Sequence, residues 1–593
     1  MCVVAILRMK YALIITGLLA GLAMAAPMSV VFGYLFLIIP GLVLTAAPTV
    51  FVYLAATALI RRVLPITSVV ASTVVAFGLA LLLGWAVMQP FRSSALRGYH
   101  AQQAPDVAPD ELIHLDGDVR VEFPDRRGDP ECDYLCTALL DSADVNSVTV
   151  RVGDDVQPTP NRKTVPTNAY QLVDADPTDP VGLFPNKPGQ LIHEYPPLTK
   201  AHVGREVIVA RKVIEADWAL RLCGNERLRL ADPVDAATAD WIIRVQKKRR
   251  YPTYDFREVT VADSNGTVRL RKRFHKQSVP APMFYFGFHV SCGAGTISSA
   301  SFHIGRQTLQ TGPISLRPET ELLSAVRLAL PRTDPQVLDT LREEVIQALD
   351  DPDAPLARLE LAKRYLGLLF FDSVPTDHAL IAKIVADDRV TGIDDSIRDV
   401  FSEKKFPVAM RDAYAKRIVM DHTSAELRHR LAKFLATLPP GTFDQPSVEH
   451  RKIWNTPELY SQAGPFMATL ADLDPAVAMP TLNSALDHAV TLDDYRQRRG
   501  LVDGIREALI RMGPDGVEAA PKIRELFLRR PSPIMRTSKE ADQWRLALAR
   551  MGVPESDMPF FPGQSDQSIK RIRSRVADRL KRYEEDQKGR NES

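Results

Sequence analysis

A chain of 593 residues exceeds what one core supports and implies about three or four domains. Its net charge of +2 excludes a global electrostatic pull on nucleic acid or any other polyanion, so charge arguments must be local. The average composition hides a sharp division: between Tyr11 and Pro90 the only charged residues are Arg61 and Arg62.

Three apolar runs fill that stretch, at about 11–31, 35–60 and 66–88. Each is long enough, at ~1.5 Å per residue, to cross ~30 Å of hydrocarbon as a helix. Pro27, Pro40 and Pro48 interrupt them, which membrane helices tolerate. Tyr11, Tyr34 and Trp85 lie near the ends, where amphipathic rings favour the interface. Residues 1–92 are therefore expected to be a three-helix transmembrane region. Arg8 and Lys10 precede the first run, and Arg61 and Arg62 sit between the second and third. The positive-inside rule puts these in the cytoplasm and everything after about residue 90 on the far side. Arg92 and Arg97 oppose that orientation, two charges against four. If Met9 were the start, Ala23-Met24-Ala25 would read as a signal cleavage site, with the same outcome for the rest of the chain. The Ala-, Arg- and Asp-rich composition suggests a bacterial envelope, hence an inner membrane with the soluble part in the periplasm or outside the cell.

Residues 93–110 read as a polar linker. From Glu111 the period becomes strand-like: Asp118–Phe123 and Val148–Val152 alternate, with a short helix after Cys132-Asp-Tyr-Leu-Cys136 between them. Nine prolines in 158–197 suggest a long surface excursion. Glu206–Val213, apolar and β-branched, reads as a strand, as does Trp241–Gln246. Arg257–Ala262 and Thr267–Phe274 flank Asn265-Gly266, a hairpin signal because this pair accommodates positive φ. Phe284–Val290 reads as an aromatic strand. Residues 111–315 are thus an α+β or mainly-β domain.

From 318 to 565 helical periods dominate, as at Leu338–Leu349, Pro355–Phe371, Ala409–Met420 and Ala425–Leu438. Ala508-Leu-Ile-Arg-Met-Gly-Pro514 and Ala547-Leu-Ala-Arg-Met-Gly552 match at an offset of 39, and Ala478–Leu482 and Ala519–Ile523 at 41. Helix pairs with a period near 40 resemble HEAT-type α-solenoids. That resemblance covers 455–555 best and implies a stacked array with an extended binding surface rather than an activity. A basic helix, 566–593, ends the chain, with Ile569, Ile572, Val576, Leu580 and Tyr583 on one face.

Four cysteines, Cys132, Cys136, Cys223 and Cys292, are candidates for disulfides in an oxidising compartment. The stretch 244–276 holds eleven Lys or Arg against three acids, a local charge of +8. Within it Lys247, Lys248, Arg249, Arg250, Arg269, Arg271, Lys272 and Arg273 are the candidate anion-binding residues. With the domain exported, lipid headgroups or an anionic envelope polymer fit better than nucleic acid. His289, Cys292 and His303 match no metal-ligand spacing. No nucleophile-elbow, phosphate-loop, zincin or dinucleotide motif occurs, so no cofactor or metal is expected and catalysis is not the leading reading. The expectation is a membrane-anchored envelope protein whose exported domains bind a protein partner or an anionic envelope component. The alternatives are an enzyme with a dispersed site in 111–315, or an accessory subunit of a membrane transport or assembly complex. For the subunit reading, Gly17, Gly21 and Ala25 offer a small-residue helix face.

Overall fold

The computed structural model describes residues 2–36, 38–142, 144–153, 165–250, 253–293, 296–368, 377–393 and 408–591. It has apolar helices near the N-terminus, a sheet-rich middle and a helical C-terminal region. The chain forms two compact units: 1–171 with 193–197 and 230–329, and 172–192 with 198–229 and 330–593.

The first unit begins with α1 (Cys2–Ala25), α2 (Met28–Phe36), α3 (Ile38–Val63) and α4 (Val69–Ala101). α3 and α4 are each long and apolar enough to cross a membrane. Their apolar side chains face outward: Ile39 is 74% exposed, Val70 75% and Leu82 59%. A water-soluble core helix would bury such residues, whereas hydrocarbon solvates them. The first apolar run is not one straight helix. Lys10–Ala25 and Met28–Leu35 meet at 103°, at the break before Met28 that Pro27 creates. Small residues set the packing: a Cβ on Gly17 would lie 3.0 Å from the Phe51 ring, whereas Gly21 has no neighbour there within 4 Å. α4 does not stop at the expected linker. It runs on through Ala101, past Pro90 and the charged Arg92 and Arg97.

The α+β part starts with β1 (Gly117–Phe123), α5 (Tyr134–Leu140) and β2 (Val145–Val152). β1 and β2 pair in parallel, the geometry a helical crossover permits. They read as apolar because Val119, Val121, Val148 and Val150 are all buried. β3 (Thr167–Asp174) lies inside the proline-rich stretch, in a window from Thr167 to Asp174 that contains no proline. Tyr170 is buried there, and its hydroxyl donates to Pro130 O at 2.6 Å. Residues 154–164 of that stretch lie outside the described residues.

After β4 (Glu226–Ala231), β5 (Trp241–Arg250), β6 (Tyr254–Asp263), β7 (Val268–Pro280) and β10 (Arg306–Thr311) pair antiparallel, and β5 joins β1 in parallel. The strand order within this unit is β10-β7-β6-β5-β1-β2-β3. The β6–β7 turn falls at Asn265-Gly266, but only Gly266 is left-handed (φ +75°). The register shifts beside it, at Val261/Ala262, which marks a bulged turn rather than the tightest two-residue form. Asp263 Oδ1 accepts from Asn265 N and Thr267 N, and those amides with Arg269 hold its carboxyl below the usual range. Between β7 and β10 the chain forms a separate hairpin, β8 (Phe286–Gly293) and β9 (Thr296–Ile304).

The second unit corrects the strand expected near 206–213. Arg205–Cys223 is a 19-residue helix, opened after Gly204 (φ +62°) and closed at Gly224. Its buried Ala210, Ile214, Trp218 and Leu222 recur every four residues. β-Branched residues at 207–209 and 213–214 mimicked a strand, but the apolar pattern continues too far for one. Ala216, Ala219 and Cys223 join the core of the C-terminal helices. Those helices include Gln336–Asp350, Leu356–Leu368, Arg411–Ile418, Ala425–Leu435, Pro475–Thr491, Tyr495–Met512, Ala520–Leu528 and Ser538–Arg550. The last, Asp566–Asn591, buries Ile572 and Val576 and sets Arg550 over the Tyr583 ring at 5.1 Å.

Candidate functional site

Strand alternation divides the predicted basic stretch between two faces of the sheet. Lys248 stands opposite Phe256, which stands opposite His275 and then Thr311. Arg250, Tyr254, Gln277 and Leu309 form the next row on that face. The end of α4 packs here: Tyr99 stacks on His275 at 4.6 Å, and the Tyr254 hydroxyl donates to Gln102 Oε1 at 3.3 Å. Lys247 and Arg249 point to the opposite face, where the helix Pro318–Ala325 lies and Glu319 binds Lys247 at 2.5 Å.

On β7 two of the four predicted charges are compensated. Arg269 binds Asp263 at 2.9 Å, and Arg273 binds Glu258 and donates to Gln102 O while sitting 5.3 Å over Phe256. Arg271 bridges Val107 through its backbone, and Lys272 is half-buried. Of the eight predicted residues, the structure brings only Lys248 and Arg250 to one polar pocket. Its volume is about 380 Å³, and Gln102, Thr253, Tyr254, Gln277, Ser278 and Arg306 complete its lining. Lys248, Arg250 and Arg306 are exposed, and among the described residues no carboxylate lies within ion-pair distance of them. Burial, then the nearby Asp125 carboxylate, raises the Tyr254 hydroxyl above its ordinary value, so it stays a neutral donor.

Sequence reasoning missed Arg306. A signal was present: Gln277–Gly305 contains no Asp, Glu, Lys or Arg, and Arg306 is the first charge after it. Arg92, likewise the first charge after the third apolar run, reaches the same end of the sheet. Its Nη1 donates at 3.0 Å to both Pro280 O and Gln307 Oε1. Arg92 lies four residues beyond Met88, ~6 Å along the helix. The pocket therefore lies at the end of the sheet that Arg92 reaches.

Cys132 and Cys136 are bonded, with Cα atoms 5.1 Å apart. Asp133 caps α5, so Cys132 precedes the helix and Cys136 lies in its first turn. Cys223 is a free buried thiol, and burial pushes its pKa up to about 12. It lies in the helical core, away from solvent oxidants. The Cys292 side chain lies outside the described residues. His289 and His303 face each other on the hairpin with ring centroids 6.4 Å apart. Among the described residues no group of three or more His, Cys, Asp or Glu is arranged to hold a metal ion.

A larger groove, about 900 Å³, follows the C-terminal helix. Ile569, Ile572, Val576 and Leu580 line it against Met558 and Phe560. Arg575 to Asp542 (3.1 Å) and Arg573 to Glu555 (3.2 Å) flank it. This is the seam by which the amphipathic helix docks on its own unit, so the basic pocket is the better candidate for a ligand. Comparison with protein-family models, with curated proteins and with solved structures finds no match to the chain.

Proposed function

We propose that the protein is a membrane-anchored anion-binding protein that holds the phosphate of an anionic phospholipid headgroup in the pocket of Lys248, Arg250 and Arg306. One observation carries this reading: three exposed cations with no paired carboxylate among the described residues surround a pocket of about 380 Å³, at the end of the sheet where Arg92 binds Pro280 and Gln307. Guanidinium groups fork onto phosphate oxygens and an ammonium adds a point charge. Tyr254, Thr253, Ser278 and Gln277 supply the neutral donors that select a geometry. In this reading α3 and α4 cross the membrane, and the bent pair α1 and α2 adds a third crossing. The cluster Arg61–Arg62 stays cytoplasmic, and the chain beyond α4 lies in the periplasm or outside the cell.

The test is native mass spectrometry of the full chain in neutral detergent, titrated with phosphatidylglycerol or phosphatidylcholine. The expected result is preferential retention of phosphatidylglycerol, weakened about tenfold in the K248Q/R250Q/R306Q variant. Equal retention of the two lipids, or no loss in the variant, contradicts it.

A second reading concerns the C-terminal helices, as a HEAT-like array that binds a protein partner. In its support, Gly513 (φ +62°) and Gly552 (φ +81°), 39 residues apart, end equivalent helices in the two matching segments. Pull-down with the full chain and with a variant carrying charge reversals on that surface distinguishes it, since the lipid reading predicts no change in lipid retention.

A further inference from the structure

We infer that the β8–β9 hairpin lies in the lipid interface of the membrane that α3 and α4 cross, as a second, non-helical anchor; this rests on the membrane reading above. The stretch Gln277–Gly305 runs 29 residues without a formal charge, in a region otherwise rich in arginine and lysine. It leaves the sheet beside α4, where Gln89 Nε2 donates to Pro282 O at 3.5 Å. It then runs onto the apolar helices. Phe288 and Phe302 pack, as Leu19 does, against the cluster of Ala23, Val30 and Leu44, and their rings lie 5.1 Å apart.

The backbone shows the same adaptation. Phe286 N donates to Thr49 Oγ1 at 2.9 Å, and Phe284 O accepts from the Tyr53 hydroxyl at 2.8 Å. Thr49 and Tyr53 are one turn apart on α3. Other threonine hydroxyls on these helices donate within their own helix: Thr45 to Gly41 O, Thr57 to Tyr53 O, Thr16 to Ala12 O. Thr49 and Tyr53 instead satisfy backbone groups on the side of the hairpin that faces α3. A two-stranded hairpin keeps open edges and cannot cross hydrocarbon, so it lies at the interface, where headgroups and water serve the rest. Its exposed surface suits that layer: Met283 is 38% exposed, Tyr285 39% and Ile304 50%.

The experiment uses the full chain in nanodiscs, with Cys2, Cys223 and Cys292 replaced by serine. One cysteine at a time is introduced at Ile304, Tyr285, Leu82 or Ile314 and labelled with an environment-sensitive nitrobenzoxadiazole dye. Lipids carrying a nitroxide on the acyl chain serve as quenchers. Quenching at Ile304 and Tyr285 is expected within twofold of that at Leu82 and at least fivefold above that at Ile314. Quenching at Ile304 and Tyr285 equal to that at Ile314, with Leu82 still quenched, overturns the inference alone. Loss of quenching at Leu82 as well overturns the membrane reading beneath it. Circular dichroism of each labelled variant checks the fold, and the two hairpin positions test the same point independently.

Discussion

The Tyr53 hydroxyl, midway along α3, donates to the carbonyl of Phe284 at 2.8 Å, although 231 residues separate them. This bond ties the aromatic hairpin to the apolar helices. It also explains a glycine: a Cβ on Gly84 of α4 would overlap the Tyr53 hydroxyl. Tyr53→Phe leaves an unsatisfied carbonyl and should cost about 1–3 kcal/mol. Amide exchange in Phe286–Ile304 should rise accordingly, measured by mass spectrometry in nanodiscs. Gly84→Ala should be similarly damaging in the wild type. It should cost clearly less in the Tyr53→Phe background, since the overlapping atom is then gone.

Arg227 is fully buried, and among the described residues no carboxylate lies within ion-pair distance of it. Its guanidinium donates to six carbonyls, of Asp176, Asp179, Pro180, Leu222, Gly224 and Glu226, at 2.7–3.2 Å. It thereby caps the C-terminal end of the helix Arg205–Cys223, where partial negative charge gathers. Arg227→Met should destabilise the second unit by about 3–5 kcal/mol. Arg227→Lys should recover little, because an ammonium offers three donors where the fork offers five. Denaturant unfolding followed at Trp218 fluorescence checks both.

His275 is buried between Tyr99 and Phe256. Burial, then the neighbouring Arg273 guanidinium, holds its imidazole below the ordinary value. As pH falls through about 6.5, the unfolded chain gains a proton that the folded state resists. Stability from this group is therefore present above that pH and lost below it. The melting temperature of the wild type, relative to His275→Phe, should fall between pH 7.5 and 5.5. The difference isolates His275 from His429 and His450, which burial also holds low.

Much of this layout was legible in the sequence because long-range periodicity dominates local propensity. The second and third apolar runs, the alternation at Asp118–Phe123 and the Asn265-Gly266 turn each correspond to an element at that place. Glu206–Val213 misled because β-branched residues also fill a helix when most of its faces are buried, as Lys212, Val213 and Ile214 together show. The basic stretch was visible as charge, but not its division: side chains one residue apart, such as Lys247 and Lys248, end on opposite faces, one of them bound to Glu319. Arg306 joins the pocket only through β10 pairing with β7, a contact no local pattern announces. The hairpin's apolar character was readable as an aromatic strand. Its contact with Thr49 and Tyr53 was not, because an uncharged β segment has no helical length signature.

The central claim is that α4 leaves hydrocarbon near Arg92 and carries the basic pocket to the membrane surface. The most direct measurement is a depth profile by electron paramagnetic resonance, with nitroxide labels at Val74, Leu82, Ser94 and Ala101 in the full chain reconstituted in lipid bilayers. All four positions face outward on the helix. Oxygen should dominate relaxation at Val74 and Leu82, with a water-soluble nickel chelate taking over between Ser94 and Ala101. Chelate access at Leu82 equal to that at Ala101, or its exclusion at Ala101, would contradict the account.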